Sequence, residues 1–338
     1  MKKLLIILSF VSISFSGFSQ IDLGTFLEGG VDDANTLLRG YMEPAFVGFG
    51  YGLNSGWYNT AKPHKLFGFD ITATVNMAYV PDASRFFTFN DASYNNVRLS
   101  NPSDNQLPTI FGPNLDADEI PELTFLDPDD GSQVLRITSP TGLGIDETSL
   151  PNAVPSGMIQ LGIGLVKNTE LKLRFVPEQT IGDPGEEFKF NVFGIGVMHD
   201  FKQWIPGMKL LPFDLSAFIG YTSIKSSFAI DADNPDQMGE LNVSGTTFQA
   251  VISKKLALLT VYGGVGFISS NTDFALRGSY DIQSGSAPLV DPVSFDFSSS
   301  GARANIGARL KLLVLTLHGE YAIQEYNTLT LGVGISVR

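Results

Sequence analysis

Three histidines, His64, His199 and His318, and no cysteine are the chain's whole stock of imidazole and thiolate metal ligands. None of the histidines stands at metal-ligand spacing to another, so no metal centre and no cofactor are expected. The triplets Gly194-Ile195-Gly196 and Gly332-Val333-Gly334 lie inside alternating runs, not at a strand-to-helix turn, so they read as room on one strand face and not as a phosphate loop. A hydrolase needs a nucleophile, a base and an orienting group in mutual reach. His318 with Glu320 and Thr316 on one face, and Ser216 in another strand, falls short of that, and no enzyme is expected.

What the chain does carry is a set of charges on the polar faces of apolar-polar runs. Asp70, Asp214 and Glu320 stand against Lys172, Arg174, Arg303, Arg309 and Lys311, with His318 on the same face as Glu320. In a membrane-spanning barrel that face is the lumen, where a charge escapes the cost of about 2–4 kcal/mol that Lys or Arg meets against lipid. Two readings stay open: a salt-bridged interior that stiffens the barrel, or a polar track for a solute.

The elements that must position these groups are strands. Leu313, Leu315, Leu317, Tyr321 and Ile323 alternate with Thr316, His318, Glu320 and Gln324; after a turn at 325–327, Leu329, Leu331, Val333, Ile335 and Val337 alternate with Thr330, Gly332, Gly334 and Ser336. A period of two gives each set its own face. The first strand repeats this, with Phe69, Ile71, Val75, Met77 and Tyr79 on one side and Asp70, Thr72, Thr74 and Asn76 on the other. Further hairpins run from Met158 to Arg338 with no linker, and their connections alternate short and long, as an up-and-down transmembrane barrel requires. The fold class is therefore all-β, an antiparallel up-and-down barrel of about ten firm strands, extendable to 12 or 14. A slip of phase between Val192 and Phe193 predicts a bulge there.

The ends and insertions fill out the plan. Lys2 and Lys3 followed by an apolar run and small residues read as a signal peptide over 1–20, and no later apolar run is long enough for a membrane helix. Residues 21–65 form an N-terminal hatch segment: a short helix begun by Asp32 and Asp33 and limited by Gly40 and Pro44, then irregular backbone. Tyr51, Asn54, Trp57, Tyr58 and Asn59 are its candidate ligand-path residues, with a loose tail at the rim as the alternative. The barrel occupies 66–338, with a long extracellular insert at 82–156 whose only strand candidates are 85–89 and 132–138. The acidic runs at 127–131 and 231–236 lack the glycine and glutamate of a calcium loop and read as solvated loops. A net charge of −13 argues against a nucleic-acid partner.

The stretch 50–65, with Gly56-Trp57-Tyr58-Asn59-Thr60 at its centre, and the stretch 199–212, with Trp204-Ile205-Pro206-Gly207, resemble those of an uncharacterised outer-membrane barrel family of Gram-negative bacteria. The general plan is similar to that of the long-chain fatty-acid and aromatic-hydrocarbon transporters. That resemblance implies an outer-membrane location amid lipid and lipopolysaccharide, and transport of small hydrophobic molecules through a plugged lumen. The alternative expectation is a non-transporting surface protein whose acidic outer loops bind a partner or lipopolysaccharide.

Overall fold

The structure is a computed structural model that describes residues 30–337 except 127–131, 183–184, 186, 231–233, 235 and 281–287. The expected signal peptide and the acidic run 127–131 lie outside the described residues, as does most of 231–236. Ten antiparallel strands close into a barrel: β1 (Phe69–Tyr79), β7 (Ala153–Leu165), β8 (Thr169–Ile181), β9 (Phe188–Asp200), β10 (Asp214–Ala229), β11 (Met238–Leu256), β12 (Leu259–Arg277), β15 (Val293–Leu312), β16 (Leu315–Ile323) and β17 (Thr328–Val337), with β1 pairing both β17 and β7. Closure leaves the ring without an unpaired edge.

The turns gather by length. Lys167 and Asn168, Ala257 and Leu313 turn at one end with positive φ, and the 201–213 connection lies there too. The two longest connections, 80–152 and 278–292, leave from the other end, together with 182–187, 230–237 and 324–327. The insert between β1 and β7 carries five short strands: β2 (Phe86–Thr88), β3 (Val97–Leu99), β4 (Gln106–Pro108), β5 (Glu122–Leu126) and β6 (Gln133–Thr138). β2 and β6 fall where the sequence offered strand candidates; β3, β4 and β5 are too short for alternation to register. A small β13–β14 hairpin (Ser279–Tyr280, Leu289–Val290) rises from the 278–292 connection.

The barrel has a tall wall and a short wall. β11, β12 and β15 run 19, 19 and 20 residues, whereas β16, β17 and β1 run 9, 10 and 11. Two seams result. β15 pairs with β16 only from Ala304↔Ile323 downward, although its pairing with β12 continues up to Val293. β7 pairs with β8 only between Gln160↔Arg174 and Leu165↔Thr169, although β8 stays paired with β9 up to Ile181. The insert, leaving β1 and returning to β7, stands on the short wall between these seams.

Side-chain polarity turns inside out halfway up the barrel. Below, Ile71, Phe248, Val265, Leu317 and Ile335 are exposed on the outside while Thr72, Gln249, Arg309 and Glu320 are buried inside. Above, Lys225, Asn271, Asp273 and Asp296 are exposed on the outside while Ile224, Val243, Ile268, Phe274, Phe295 and Phe297 are buried inside. This inversion accounts for the slip at Val192 and Phe193. β9 alternates through it unbroken, with Val192 inward and Phe193 outward; the apolar residues change sides because the interior changes from polar to apolar. The expected bulge is instead in β8, between Val176 and Gln179, opposite Val192 and Phe190.

Inside stands one helix, α1 (Val31–Leu53). It does not stop at Gly40 or Pro44, as the sequence led us to expect. A proline inside a helix loses one backbone bond and crowds residue i−4, at about 3 kcal/mol or more. Here residue i−4 is Gly40, whose bare Cα also lets the Phe87 ring approach, and Leu37, Leu38, Tyr41, Met42 and Phe46 are buried around the proline in the main apolar cluster. Lower on α1 glycine permits contact with opposite walls. A Cβ on Gly48 or Gly52 would collide with Val154 or Ser156 of β7, and one on Gly50 with Ser270 of β12. The helix is squeezed between two strands, so a segment that reads as irregular from its composition is held helical by its walls.

Candidate functional site

The chain threads the lumen from top to bottom before it becomes wall. α1 begins under the insert, where the Asp33 carboxylate accepts from the amides of Asn95 (2.8 Å) and Asn96 (2.7 Å), and the Tyr41 hydroxyl donates to the Thr141 carbonyl (3.0 Å). Residues 54–65 continue downward and end against β8 and β17 at the short-turn rim.

At mid-height the end of α1 is held by two arginines. Arg174, fully buried on β8, donates to the carbonyls of Leu53 (2.8 Å) and Ser55 (2.7 Å) and to Thr222 Oγ1 (3.1 Å), and its guanidinium lies 3.6 Å from the centre of the Trp57 ring. A cation at the carbonyl end of a helix meets the negative pole of the macrodipole, and the planar fork suits paired carbonyls. Arg303 of β15 donates to Ser55 Oγ (2.9 Å), Gln324 Oε1 (3.0 Å) and Glu320 Oε1 (2.7 Å). Trp57 packs on Phe218 at 5.4 Å, its carbonyl accepts from Gln160 (3.1 Å), and close approach is allowed by Gly196 and Gly220 beside it. The Tyr58 hydroxyl contacts the side-chain oxygens of Gln249 and Asn305.

At the foot, His64 meets Glu170 through both its backbone amide (2.9 Å) and its Nδ1 (3.0 Å), and its Nε2 lies 3.1 Å from Ser336 Oγ. Lys172 donates to the other oxygen of Glu170 at 2.5 Å.

Of the sequence candidates, Asp70, Lys172, Arg174, Arg303, Arg309, His318 and Glu320 are buried inside. Asp214 is half-buried at the short-turn rim, opposite Ser253 of β11. Lys172 and Glu320 are ion-paired, the latter with Arg303. His318 lies against Gly332, with neither ring nitrogen partnered among the described residues. Tyr51 donates to Glu325 Oε2 (2.7 Å) and stacks on Tyr326 at 5.3 Å, Asn54 donates to the Ser269 carbonyl (3.1 Å), and Asn59 is buried. Sequence reasoning passed over Glu170, which stands two residues before Lys172 on the same face and completes the run Glu170, Lys172, Arg174 that alternation alone could have supplied. It also passed over His64 as a partner of the wall, since nothing local signals that contact.

Near the top of the short wall, a cavity of about 540 Å³ opens at the β15 seam. Pro44 and Val47 of α1 with Phe86 and Phe87 of the insert give it an apolar side; Ser298, Ser299 and Ser300 of β15 with Glu43 and Glu325 give it a polar one. Tyr326 closes the floor, and burial pushes its phenol up to about 12, so it remains protonated at neutral pH.

A model for a family of unknown function, DUF6588, matches residues 1–337, and the chain belongs to that family. No curated protein matches it. Among solved structures, it aligns with Ail, the attachment invasion locus protein of Yersinia pestis, crystallised with the heparin analogue sucrose octasulfate, at 10% identity and a TM-score of 0.28, covering 80% of this chain and 99% of that one. It aligns with the translocator domain of the autotransporter NalP from Neisseria meningitidis at 11% identity and a TM-score of 0.28, covering 81% and 90%. For a loop-deletion mutant of OmpT, an outer membrane protein of Vibrio cholerae, the values are 12% and 0.22, covering 80% and 76%. Superpositions this loose carry no argument about function.

Proposed function

We propose that this member of the DUF6588 family is a plugged barrel of a Gram-negative outer membrane that takes in small hydrophobic molecules from its long-loop side. Support for the location comes from the lower storey, whose exposed aliphatic belt has the height of a span of about 9–11 residues per strand. Phe175, Phe193, Tyr221, Phe248 and Phe267, all exposed at its upper margin, supply the aromatic girdle such barrels place at the interface. On this reading the short turns are periplasmic and the insert extracellular.

The transport reading rests on the seam cavity of about 540 Å³. Its volume falls in the range of small-molecule sites, and its two sides suit an apolar body carrying a hydrogen-bonding head. Onward passage requires residues 51–60 to leave their clamps, so this segment is the hatch. The chain has no cysteine, which permits a clean test. An ideal Cβ on Gly52 lies 3.3 Å from Ser156 Cβ, close to disulfide geometry, so Gly52→Cys with Ser156→Cys ties hatch to wall. In liposomes, uptake of a hydrophobic fluorescent probe is expected to fall at least tenfold on oxidation and return on reduction. Equal uptake in both states refutes the hatch.

The second reading, a non-transporting surface protein that binds a partner or lipopolysaccharide, is favoured by one observation: the insert's Leu99, Leu107, Ile110, Leu123 and Phe125 share one apolar cluster with α1, so the outer face is a fixed platform. Wild-type liposomes that take up no more probe than empty ones support it.

A further inference from the structure

We propose that His64, Asp70 and Glu170 form a site for a divalent cation of the zinc class, which fastens the foot of the plug to the barrel wall. The histidine comes from the threaded segment and the two carboxylates from β1 and β8. One ligand atom from each lies within 4.8 Å of the others. A zinc ion held at about 2.0–2.2 Å by one nitrogen and two oxygens draws its ligands to roughly 3–4 Å apart, leaving a fourth position open. His64 Nδ1 already lies 3.0 Å from Glu170 Oε2 and 3.7 Å from Asp70 Oδ1.

Two further observations point to a ligand. Asp70 is 5% exposed, yet its Oδ1 has no hydrogen-bond partner among the described residues, while its Oδ2 accepts from Thr72 Oγ1 at 2.6 Å. A buried carboxylate oxygen left unpaired costs free energy that a cation returns. The space is also kept open by the backbone: a Cβ on Gly162 would collide with Asp70 Oδ1 and stand 2.6 Å from Glu170 Oε1.

The surroundings divide the work. Lys172 takes Glu170 Oε1 and leaves Oε2 to face the histidine. Ser336 Oγ, which accepts from Lys311 Nζ at 2.9 Å, stands at Nε2 and orients the ring, the role an outer-shell partner plays for a ligating histidine. Without metal, Nδ1–H donates to Glu170. On binding, the ring proton moves from Nδ1 to Nε2, where it points toward Ser336, and the freed Nδ1 lone pair, Glu170 Oε2 and Asp70 Oδ1 ligate the ion. Nitrogen with oxygen donors selects zinc-like ions over calcium and magnesium.

The full chain, purified in detergent and stripped with EDTA, should bind one equivalent of zinc chloride by calorimetry. With cobalt chloride it should give a visible d–d band that saturates at one equivalent, and neither calcium nor magnesium should compete at tenfold excess. His64→Gln, Asp70→Asn and Gly162→Ala, the last keeping every ligand, should each weaken zinc binding at least tenfold; His199→Gln should not. Binding by His64→Gln or Asp70→Asn equal to the wild type overturns the site. So does the absence of a one-equivalent cobalt band in the wild type, a result that needs no variant to fold.

Discussion

In the lower storey Ile71, Phe248 and Leu317 face outward and Arg174, Arg303 and Glu320 are buried; in the upper storey Lys225 and Asp273 face outward and Val243, Phe274 and Phe297 are buried. The same strands cross both, with unbroken pairing from Leu256↔Leu259 to Met238↔Arg277. One backbone therefore has two outer faces: below, an apolar outside over polar groups, which the proposed membrane location sets against lipid, and above, a polar outside over an apolar core. The plug answers each in kind. Its upper part, Leu37 to Phe46, is held by a broad apolar cluster, whereas residues 53–64 combine a small one, Trp57, Tyr58 and Ala61 against Phe218 and Tyr262, with hydrogen bonds to arginine, amide and carboxylate side chains.

The sharpest way to break the lower half of this contrast is Arg174→Met. The substitution keeps bulk but strands the buried carbonyls of Leu53 and Ser55 and uncovers Trp57. Each buried carbonyl left without its donor costs about 1–3 kcal/mol. Thermal unfolding in detergent should register that loss, and protease should reach residues 54–65 while the insert stays protected. Phe46→Ala is the upper counterpart. Its ring packs on Phe274, Phe295 and Phe297 at 5.4, 6.1 and 5.7 Å, and deletion of a buried phenylalanine costs about 3–5 kcal/mol. Here the insert should become protease-sensitive first. If both variants release both regions together, the plug is one cooperative unit and the division fails.

Outside, the contrast is tested by one residue type at two heights. Ile252→Arg, midway on β11 between Phe248 of the aromatic margin and the short turn, places a charge in the aliphatic belt and should cost about 2–4 kcal/mol, a cost that falls toward zero near the interface. Asp273→Arg, exposed on the outer face of the adjacent strand in the upper storey, should change stability by no more than about 0.5 kcal/mol. Equal costs, measured by refolding into lipid vesicles, would mean that both heights meet the same solvent.

The same contrast explains what the sequence made legible. Where the outside of the barrel is apolar and its lumen polar, alternation is strong, and β1, β16 and β17 with their inward Asp70, Glu320 and Thr330 can be read directly. At Val192 the rule changes sign, and a period-two reading takes that for a bulge because it carries no term for what lies inside. α1 fails for a related reason. Pro44 and the glycines at 48, 50 and 52 argue against helix locally, and only the walls of β7 and β12 override that local preference. The pairing of His64 with Glu170 spans more than a hundred residues and leaves no local trace.

Gly52→Ala probes how tightly the wall sets that helix. The added Cβ would stand 2.5 Å from Ser156 Oγ and 3.3 Å from its Cβ, so the helix or β7 must shift. Overpacking of this kind costs about 1–3 kcal/mol, against a gain of at most about 1 kcal/mol from alanine's better helix propensity. Ser156→Gly should recover most of the loss in the double variant, and a non-additive cycle is the expected signature. Additive effects would mean that the two residues do not touch.

The smallest effect belongs to the water-facing side of the upper storey. Arg277 pairs with Glu240 at 3.0 Å and with Asp291 at 3.4 Å, and all three side chains are more than a third exposed. Exposed pairs of this kind are worth about 0–1 kcal/mol because water and salt screen them and two long side chains must be ordered. Arg277→Gln should therefore lower the thermal midpoint only slightly, and the difference should vanish above roughly 0.5 M salt, where the Debye length shrinks to a few ångströms. Arg303, paired with Glu320 at 2.7 Å with both side chains almost fully buried, should behave oppositely, its truncation costing several kcal/mol at every salt concentration. Two arginine–carboxylate pairs on one strand system would then differ only in which storey, and which face, holds them.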